Sequence, residues 1–464
     1  MSLAQKTSPR RVVFVASRAA GESLLCARAV AQLDGVQLFG VCERATTEAG
    51  IFADLISVEN AHDAAQLTAA ARELRERHGP LHQIVTAQET LLLPVAQSNE
   101  ALGLQRGLSA AVVSRVLDKS SLKRTLERAG IGTARDRLIT ADEEAGRFAS
   151  EVGFPIVLKP LGGSGGLATW RIRDAEQLNL ALRLTRPSPE NPLLAEEYLR
   201  GEELCLDTIT IANEPRLHSV CCYKPSIMDA LEDARIQWTC VMPREMDQER
   251  FYDFIERGLA AVRTLEVGDA MTHMEGFLLE GGGISFTDAT LRPAGARIGP
   301  MLGLAYDTDP RLAWARAAVD GRFDGPWERA YAVGTIFLRG VGGRLVESVS
   351  GVEEVRRQVG AMVAEARLPR VGASASATYT GDGFITLRHT DTRAVEDALQ
   401  LIAETVRVTY SRHDSSLPLD QSSTEQWSER LGYFDRQLFR PAWDDDKSNA
   451  ELGMMNDELK TVRP

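Results

Sequence analysis

Residues 274–298, MEGFLLEGGGISFTDATLRPAGARI, constrain this chain more than any other stretch. Two strand-like runs meet at Gly281, Gly282 and Gly283, the pattern of a β-hairpin turning at its glycines. Opposed strands bring Glu275 and Asp288 close together. Two carboxylates in a half-buried cleft repel unless a cation sits between them. Hard divalent ions such as Mg²⁺ take oxygen ligands, commonly one or two carboxylates together with substrate phosphates. Arg292 follows Asp288 by four positions, and a loop ending in Arg297 comes next. The pattern points to a Mg-nucleotide site with an arginine aimed at the reacting group. Acids flanking a hairpin are more often plain surface residues, so the rest of the chain has to decide.

At 464 residues the chain is too long for one core, and two to four domains are expected. A formal charge of −12 argues against a protein whose task is gripping a phosphate backbone, so no nucleic-acid partner is expected. A local nucleotide site remains allowed. The six cysteines show no C-x-x-C spacing and read as reduced thiols. No apolar run approaches membrane-spanning length, and the start of the chain lacks a signal-peptide core. A cytoplasmic protein without a membrane partner is expected.

Residues 11–117 alternate short apolar strands (RVVFVAS, VQLFGVCE, DLISV, QIVTA) with helical periodicity. That alternation implies a parallel sheet covered by helices. The loop at 17–23 carries only Gly21 and is no dinucleotide fingerprint. Ligands still gather at the carboxyl ends of such strands, which makes Ser17, Arg18 and Glu89 candidates for a substrate cleft. From 118 the texture changes to α+β. DKSSLKRTLERAGIGTA predicts a helix opened by Asp118 and closed by Gly130. A helix at 141–152, strands PIVLKPL and TWRI, a helix at 175–186, and strands LLAEEYL, EELCLDTITI and RLHSVCCYKP follow. SIMDALEDARIQWT reads as a mobile loop, and a helix at 247–266 leads into the hairpin. Residues 326–410 read as a smaller α+β unit with helices at 352–359 and 392–406. The tail, 411–464, is polar but holds Trp427, Tyr433, Phe434, Phe439 and Trp443, so part of it is expected to dock.

Two lysines stand out. Lys119 opens a helix, and Lys159 ends the apolar strand PIVLK, alternating to the face opposite Leu158. After it, Gly162–Gly166 place four glycines around Ser164, offering bare backbone N–H groups to phosphate oxygens. The order is not that of a Walker loop. LLAEEYLRGEELCLD then gathers five acids around one glycine. Its extended part can offer backbone to a base edge, and a glutamate past the turn can accept ribose hydroxyls.

Taken in order, these pieces resemble the ATP-grasp superfamily: DK, V-L-K-P with a Gly/Ser loop, E-E-Y-L-x-G-x-E, H-x-E, then D-x-T-x-R. The resemblance spans roughly residues 10–410 and is greatest for carboxylate–amine ligases similar to bacterial L-amino-acid ligases. It implies an N-terminal parallel α/β domain at 11–117, a nucleotide-clasping α+β core at 118–325 and a C-terminal α+β extension at 326–410. Lys119, Lys159, Gly163, Ser164 and Gly165 would then meet ATP phosphates. Glu196, Glu197 and Leu199 would meet the adenine, and Glu203 the ribose. Glu275, Asp288 and Thr290 would ligate Mg²⁺, with Mn²⁺ as an alternative. Arg292 would steady an acyl phosphate and His273 would lie near the transferred phosphoryl. Arg297 is a candidate clamp for a substrate carboxylate, since arginine binds carboxylates bidentately.

Two positions depart from the family pattern. Asp288 stands where glutamate is usual, and Thr290 where asparagine is usual, so one well-held Mg²⁺ and a second, more weakly held one are expected. The implied function is ATP-dependent amide, expected peptide, bond formation between amino-acid-like substrates. The rivals are a bicarbonate-using carboxylase and a non-catalytic nucleotide-binding protein. Trp238, Met242 and Met301 are candidates for an apolar substrate pocket, and Asp229, Glu232 and Asp233 for contacts to an amine. A homodimer is the expected assembly.

Overall fold

The computed structural model describes residues 9–44, 49–161, 169–341, 345–376 and 378–411. The loop residues Gly163, Ser164 and Gly165, and the tail from 412, lie outside these.

The N-terminal part is β1 (Arg10–Arg18), α1 (Gly21–Ala31), β2 (Val36–Arg44), β3 (Leu55–Ser57), α2 (Ala64–His78) and β4 (Gln83–Val85). The strands form one parallel sheet in the order β3-β2-β1-β4. Val12 to Ala16 are at most 1% exposed, as a parallel strand covered on both faces requires. Three helices the sequence reading did not separate, or placed only in part, follow: α3 (Leu92–Ala101), α4 (Ala110–Leu117) and α5 (Lys119–Arg128). Asp118 ends α4 and caps α5, its carboxylate accepting the Ser121 N–H at 2.6 Å.

A small antiparallel sheet, β5-β8-β6-β7, comes next. Its elements are β5 (Asp136–Ile139), α6 (Asp142–Val152), β6 (Ile156–Pro160), β7 (Trp170–Ile172), α7 (Ala175–Thr185) and β8 (Leu193–Glu197). Ile156, Leu158, Phe148 and Leu178 share a core with both helices. Strand alternation therefore sends Lys159 to the other face, where it lines a cleft.

The far wall of that cleft is a larger sheet. The chain runs through β9 (Gly201–Ile211), β10 (Glu214–Lys224), α8 (Ile227–Glu232), β11 (Thr239–Met242), α9 (Glu249–Leu265), β12 (Ala270–Leu279) and β13 (Ile284–Thr290). It continues as α10 (Ile298–Tyr306), α11 (Pro310–Ala315), β14 (Ala332–Leu338), β15 (Val346–Ser350), α12 (Val352–Val359), β16 (Val363–Arg367), β17 (Gly383–His389), α13 (Thr392–Thr405) and β18 (Arg407–Tyr410). Eight strands join in the order β13-β12-β9-β10-β11-β14-β17-β16, while β15 and β18 form a separate ribbon. Phe251 and Phe254 of α9 bury one side of this sheet together with Leu122 of α5.

Residues 326–410 continue the large sheet, β11 pairing with β14 from Thr239↔Ile336 to Met242↔Val333. One expectation is corrected. The segment expected as a mobile loop contains α8, capped by Ser226, and ends at a fully buried Trp238. That indole packs 5.2 Å from Phe337 and 4.7 Å from Tyr379, and its N–H donates to Pro225 O at 3.1 Å. One aromatic anchor outweighs a polar composition. Met242 and Met301 are core as well, each 0% exposed, so these three side chains do not form a substrate pocket. All six cysteines are buried free thiols. No helix among the described residues is long and apolar enough to cross a membrane.

Candidate functional site

Between the small sheet and the β12–β13 hairpin lies a cleft of ≈ 500 Å³. One wall is cationic. Lys159, from the end of β6, places Nζ 2.6 Å from Glu196 Oε2 on β8. Lys123, on α5, reaches the other oxygen of the same carboxylate and donates to Ala134 O at 3.1 Å. Burial alone pushes the Glu196 carboxyl up, but the two ammonium groups outweigh it and hold it down to about 2. Burial pushes Lys159 down; Glu196 opposes this, and the like charges of Lys119 and Lys123 add to it. Lys119 opens α5 and pairs with Asp288 across the cleft. The charge and hydrogen bond of Asp288 overcome burial and raise the lysine.

The other wall is one face of the large sheet. Register sets Glu275 directly opposite Asp288, and His273 opposite Thr290. On the other side of β12, Asp207 pairs with His273 and Cys205 with Glu275. Side chains two apart share a face, so acids of three strands converge. Thr290 Oγ1 is buried and has no hydrogen-bond partner among the described residues. Glu275, Asp288 and this orphaned hydroxyl are hard oxygen donors on neighbouring strands, and they fit a hard divalent ion such as Mg²⁺. Burial pushes Glu275 up, but the hydrogen bond and charge of His273, helped by Lys119 and Tyr223, hold it below its ordinary value. Glu203 is different: burial, with the Glu275 charge added, pushes it up to about 8, against the Ile227 N–H that donates to it at 2.7 Å.

Arg292 lines the cleft and is gripped by Glu89, with Nη2 2.7 Å and Nε 3.1 Å from Oε2. Glu89 follows β4, so the N-terminal part contributes to the site there. Ser17 and Arg18 do not line the cleft. Glu197 and Leu199 do, although the Glu197 carboxylate is taken by Arg135, at 2.6 Å. Arg297 is a correction. Its backbone is left-handed (φ 65) at the start of α10, and its guanidinium pairs with Glu365 and lies 4.1 Å from the Phe384 ring centroid. It faces β16 and β17 rather than the cleft, so it is no carboxylate clamp here. Asp229 and Glu232 are bound by Arg171, and Asp233 by Arg235.

Sequence reasoning missed Lys123, Asp207, Tyr223 and Tyr379. Two of these carried a signal. Lys123 is one helical turn past Lys119, and Asp207 lies on the strand face of Glu203. Tyr379 reaches the cleft from the β16–β17 connection, which no local pattern announces.

Residues 118–203 match the family model described as the carbamoyl-phosphate synthase L chain, ATP binding domain. The structure of an L-amino acid ligase from Bacillus licheniformis superposes with a TM-score of 0.70 at 16% identity, covering 88% of this chain and 100% of that one. The chain has the ATP-grasp fold. Other structures with this ATP-grasp likeness include N5-carboxyaminoimidazole ribonucleotide synthetase from Thermotoga maritima, with a TM-score of 0.60, 16% identity and coverage of 87% and 100%. A further one is the biotin carboxylase domain dimer of Hydrogenobacter thermophilus 2-oxoglutarate carboxylase, solved with MgADP, ADP and bicarbonate. It gives a TM-score of 0.61 at 15% identity over 87% of this chain and 91% of that one.

Proposed function

We propose that this chain is an ATP-dependent carboxylate–amine ligase that joins amino-acid-like substrates through an amide, expected peptide, bond. The observation that carries the reading is the meeting of Lys119, Lys159, the facing pair Glu275 and Asp288, and Arg292 in one cleft. Lys119 and Lys159 hold the phosphates of ATP, and on sequence grounds Gly163, Ser164 and Gly165 join them. Glu203 accepts the ribose hydroxyls, while backbone around Glu197 and Leu199 faces the adenine. Glu275, Asp288 and Thr290 hold Mg²⁺, which supplies neutralisation of phosphate charge.

The substrate carboxylate attacks the γ-phosphoryl group, forming an acyl phosphate and releasing ADP. An amine then attacks the acyl carbon, loses a proton and expels phosphate. The protein's contribution is positioning and charge, with Arg292 steadying the negative charge of the phosphoryl oxygens.

The test is ADP and phosphate release over a matrix of amino-acid pairs, with bicarbonate as a separate arm and products read by mass spectrometry. Release that needs two amino acids, with a product one water lighter than their sum, is the expected result. Release that needs bicarbonate would replace the reading with a carboxylase. Nucleotide binding without turnover in any arm would favour a binding protein.

A further inference from the structure

Helix α8 presents two stripes to two different parts of the molecule. Ile227, Met228 and Leu231, neighbours one helical turn apart, line the cleft. Asp229 and Glu232 form the other stripe and meet arginines of the small sheet. Arg171 Nη2 lies 2.5 Å from Asp229 Oδ1, and its Nε lies 3.3 Å from Glu232 Oε1. Arg173 Nη2 lies 2.5 Å from Glu232 Oε2. Trp170 and Ile172 are buried in the core of the small sheet, so Arg171 between them leaves β7 on the opposite face. There it stands beside Val157, its partner in register and part of the cleft wall. The Arg171 side chain is only 14% exposed, and partly buried pairs are screened far less than exposed ones.

The remaining ties of α8 run to the large sheet. Its Ile227 N–H donates to Glu203 at 2.7 Å, and Ala230 O accepts Arg339 Nη1 at 2.6 Å. A helix of six residues has too few internal bonds to hold its own orientation, so these ties set it. The bond to Glu203 fixes α8 at the ribose end of the cleft.

We propose that Arg171 is a positioning residue for the nucleotide: by clasping Asp229 and Glu232 it turns Ile227, Met228 and Leu231 onto the ribose and base of bound ATP. Arg171 lines a neighbouring cleft of ≈ 540 Å³ and not the nucleotide cleft, so it acts through α8. The proposal rests on the nucleotide part of the reading above, in which Glu203 meets the ribose, and not on the amino-acid substrates.

The test titrates the full chain with ADP in the presence of Mg²⁺ by calorimetry. Arg171→Met keeps the stem and removes the charge. This variant, and separately Asp229→Asn combined with Glu232→Gln, should each weaken ADP binding by at least about 2-fold. Joining all three substitutions should add less than about 2-fold to the larger single loss, because changes that break one shared contact do not add. Leu231→Ala should weaken ADP binding in the wild type, and by a smaller factor in Arg171→Met. Hydrogen exchange reads α8 without any substitution: amides at 228–232 should slow when ADP and Mg²⁺ bind.

An Arg171→Met protein with wild-type ADP affinity would overturn the proposal. Losses that multiply when the three substitutions are joined would overturn it too, since Arg171 would then act through the Tyr198 ring, 4.4 Å from its guanidinium, rather than through α8. Exchange at 228–232 that ignores ADP would do the same, and that measurement needs no variant to fold. A wild type that fails to bind ADP would overturn the nucleotide reading as well, whereas ADP binding with an indifferent α8 would overturn this proposal alone.

Discussion

Glu196 is shared between two lysines: Lys159 Nζ sits 2.6 Å from one carboxylate oxygen, and Lys123 holds the other. All three groups are buried or nearly so, and removing the acid strands two cations. Glu196→Gln should destabilise the protein by roughly 3–5 kcal/mol near neutral pH, as breaking a buried pair does. The sign follows from a carboxyl lowered from 4.5 to about 2. The contribution is present above pH 4.5 and is lost as pH falls through about 2. Denaturant midpoints of wild type and variant should therefore converge in acid; a constant gap would refute the ion-pair account.

Glu203 titrates the other way. Its folded value is raised from 4.5 to about 8, so folding takes up a proton. Stability is full below pH 4.5 and declines as pH rises to about 8. Glu203→Gln should gain on the wild type across that window and level off above it. Thermal melts of nucleotide-free, metal-free protein between these limits check the slope.

Arg292 meets Glu89 rather than solvent. Arg292→Ala should lower kcat by about 10²–10³ while leaving ADP binding in place, the usual cost of one lost charge-stabilising donor. Steady-state rates and equilibrium nucleotide titrations separate the two effects. Comparable losses in both would mean that Arg292 binds nucleotide instead of stabilising a transition state.

Thr290→Val distinguishes a metal ligand from a packing residue by opposite signs. Its hydroxyl is buried without a partner among the described residues. Removing it should raise the stability of the metal-free protein by about 1 kcal/mol and weaken Mg²⁺-dependent ADP binding. Calorimetry with and without Mg²⁺ reads both quantities. A less stable variant with unchanged Mg²⁺ dependence would rule the hydroxyl out as a ligand.

Much of this was legible in the chain. Strand alternation placed Lys159 opposite Leu158, and the triple glycine set the hairpin that aligns Glu275 with Asp288. The failures share one cause. Arg297 was assigned by charge and position, yet Glu365 and Phe384, 68 and 87 residues on, decide where its guanidinium goes. Glu196 reads in sequence as one of five acids beside an adenine, because Lys123 and Lys159 meet its carboxylate only after α5 and the small sheet have packed. The segment before Trp238 looked mobile because its anchor, Phe337, is supplied by β14. Local pattern shows where a side chain leaves the backbone. It does not show what arrives from elsewhere to meet it.

The pairing of β11 with β14 has a consequence for how the chain can be cut. A construction ending at residue 325 would strip β14, β17 and β16 together and bare the backbone donors and acceptors of β11 from Thr239 to Met242. Such a raw border recruits foreign strands. The C-terminal region thus acts as a selvedge for the sheet that carries the hairpin, and trimming it would unravel the fabric rather than release a module.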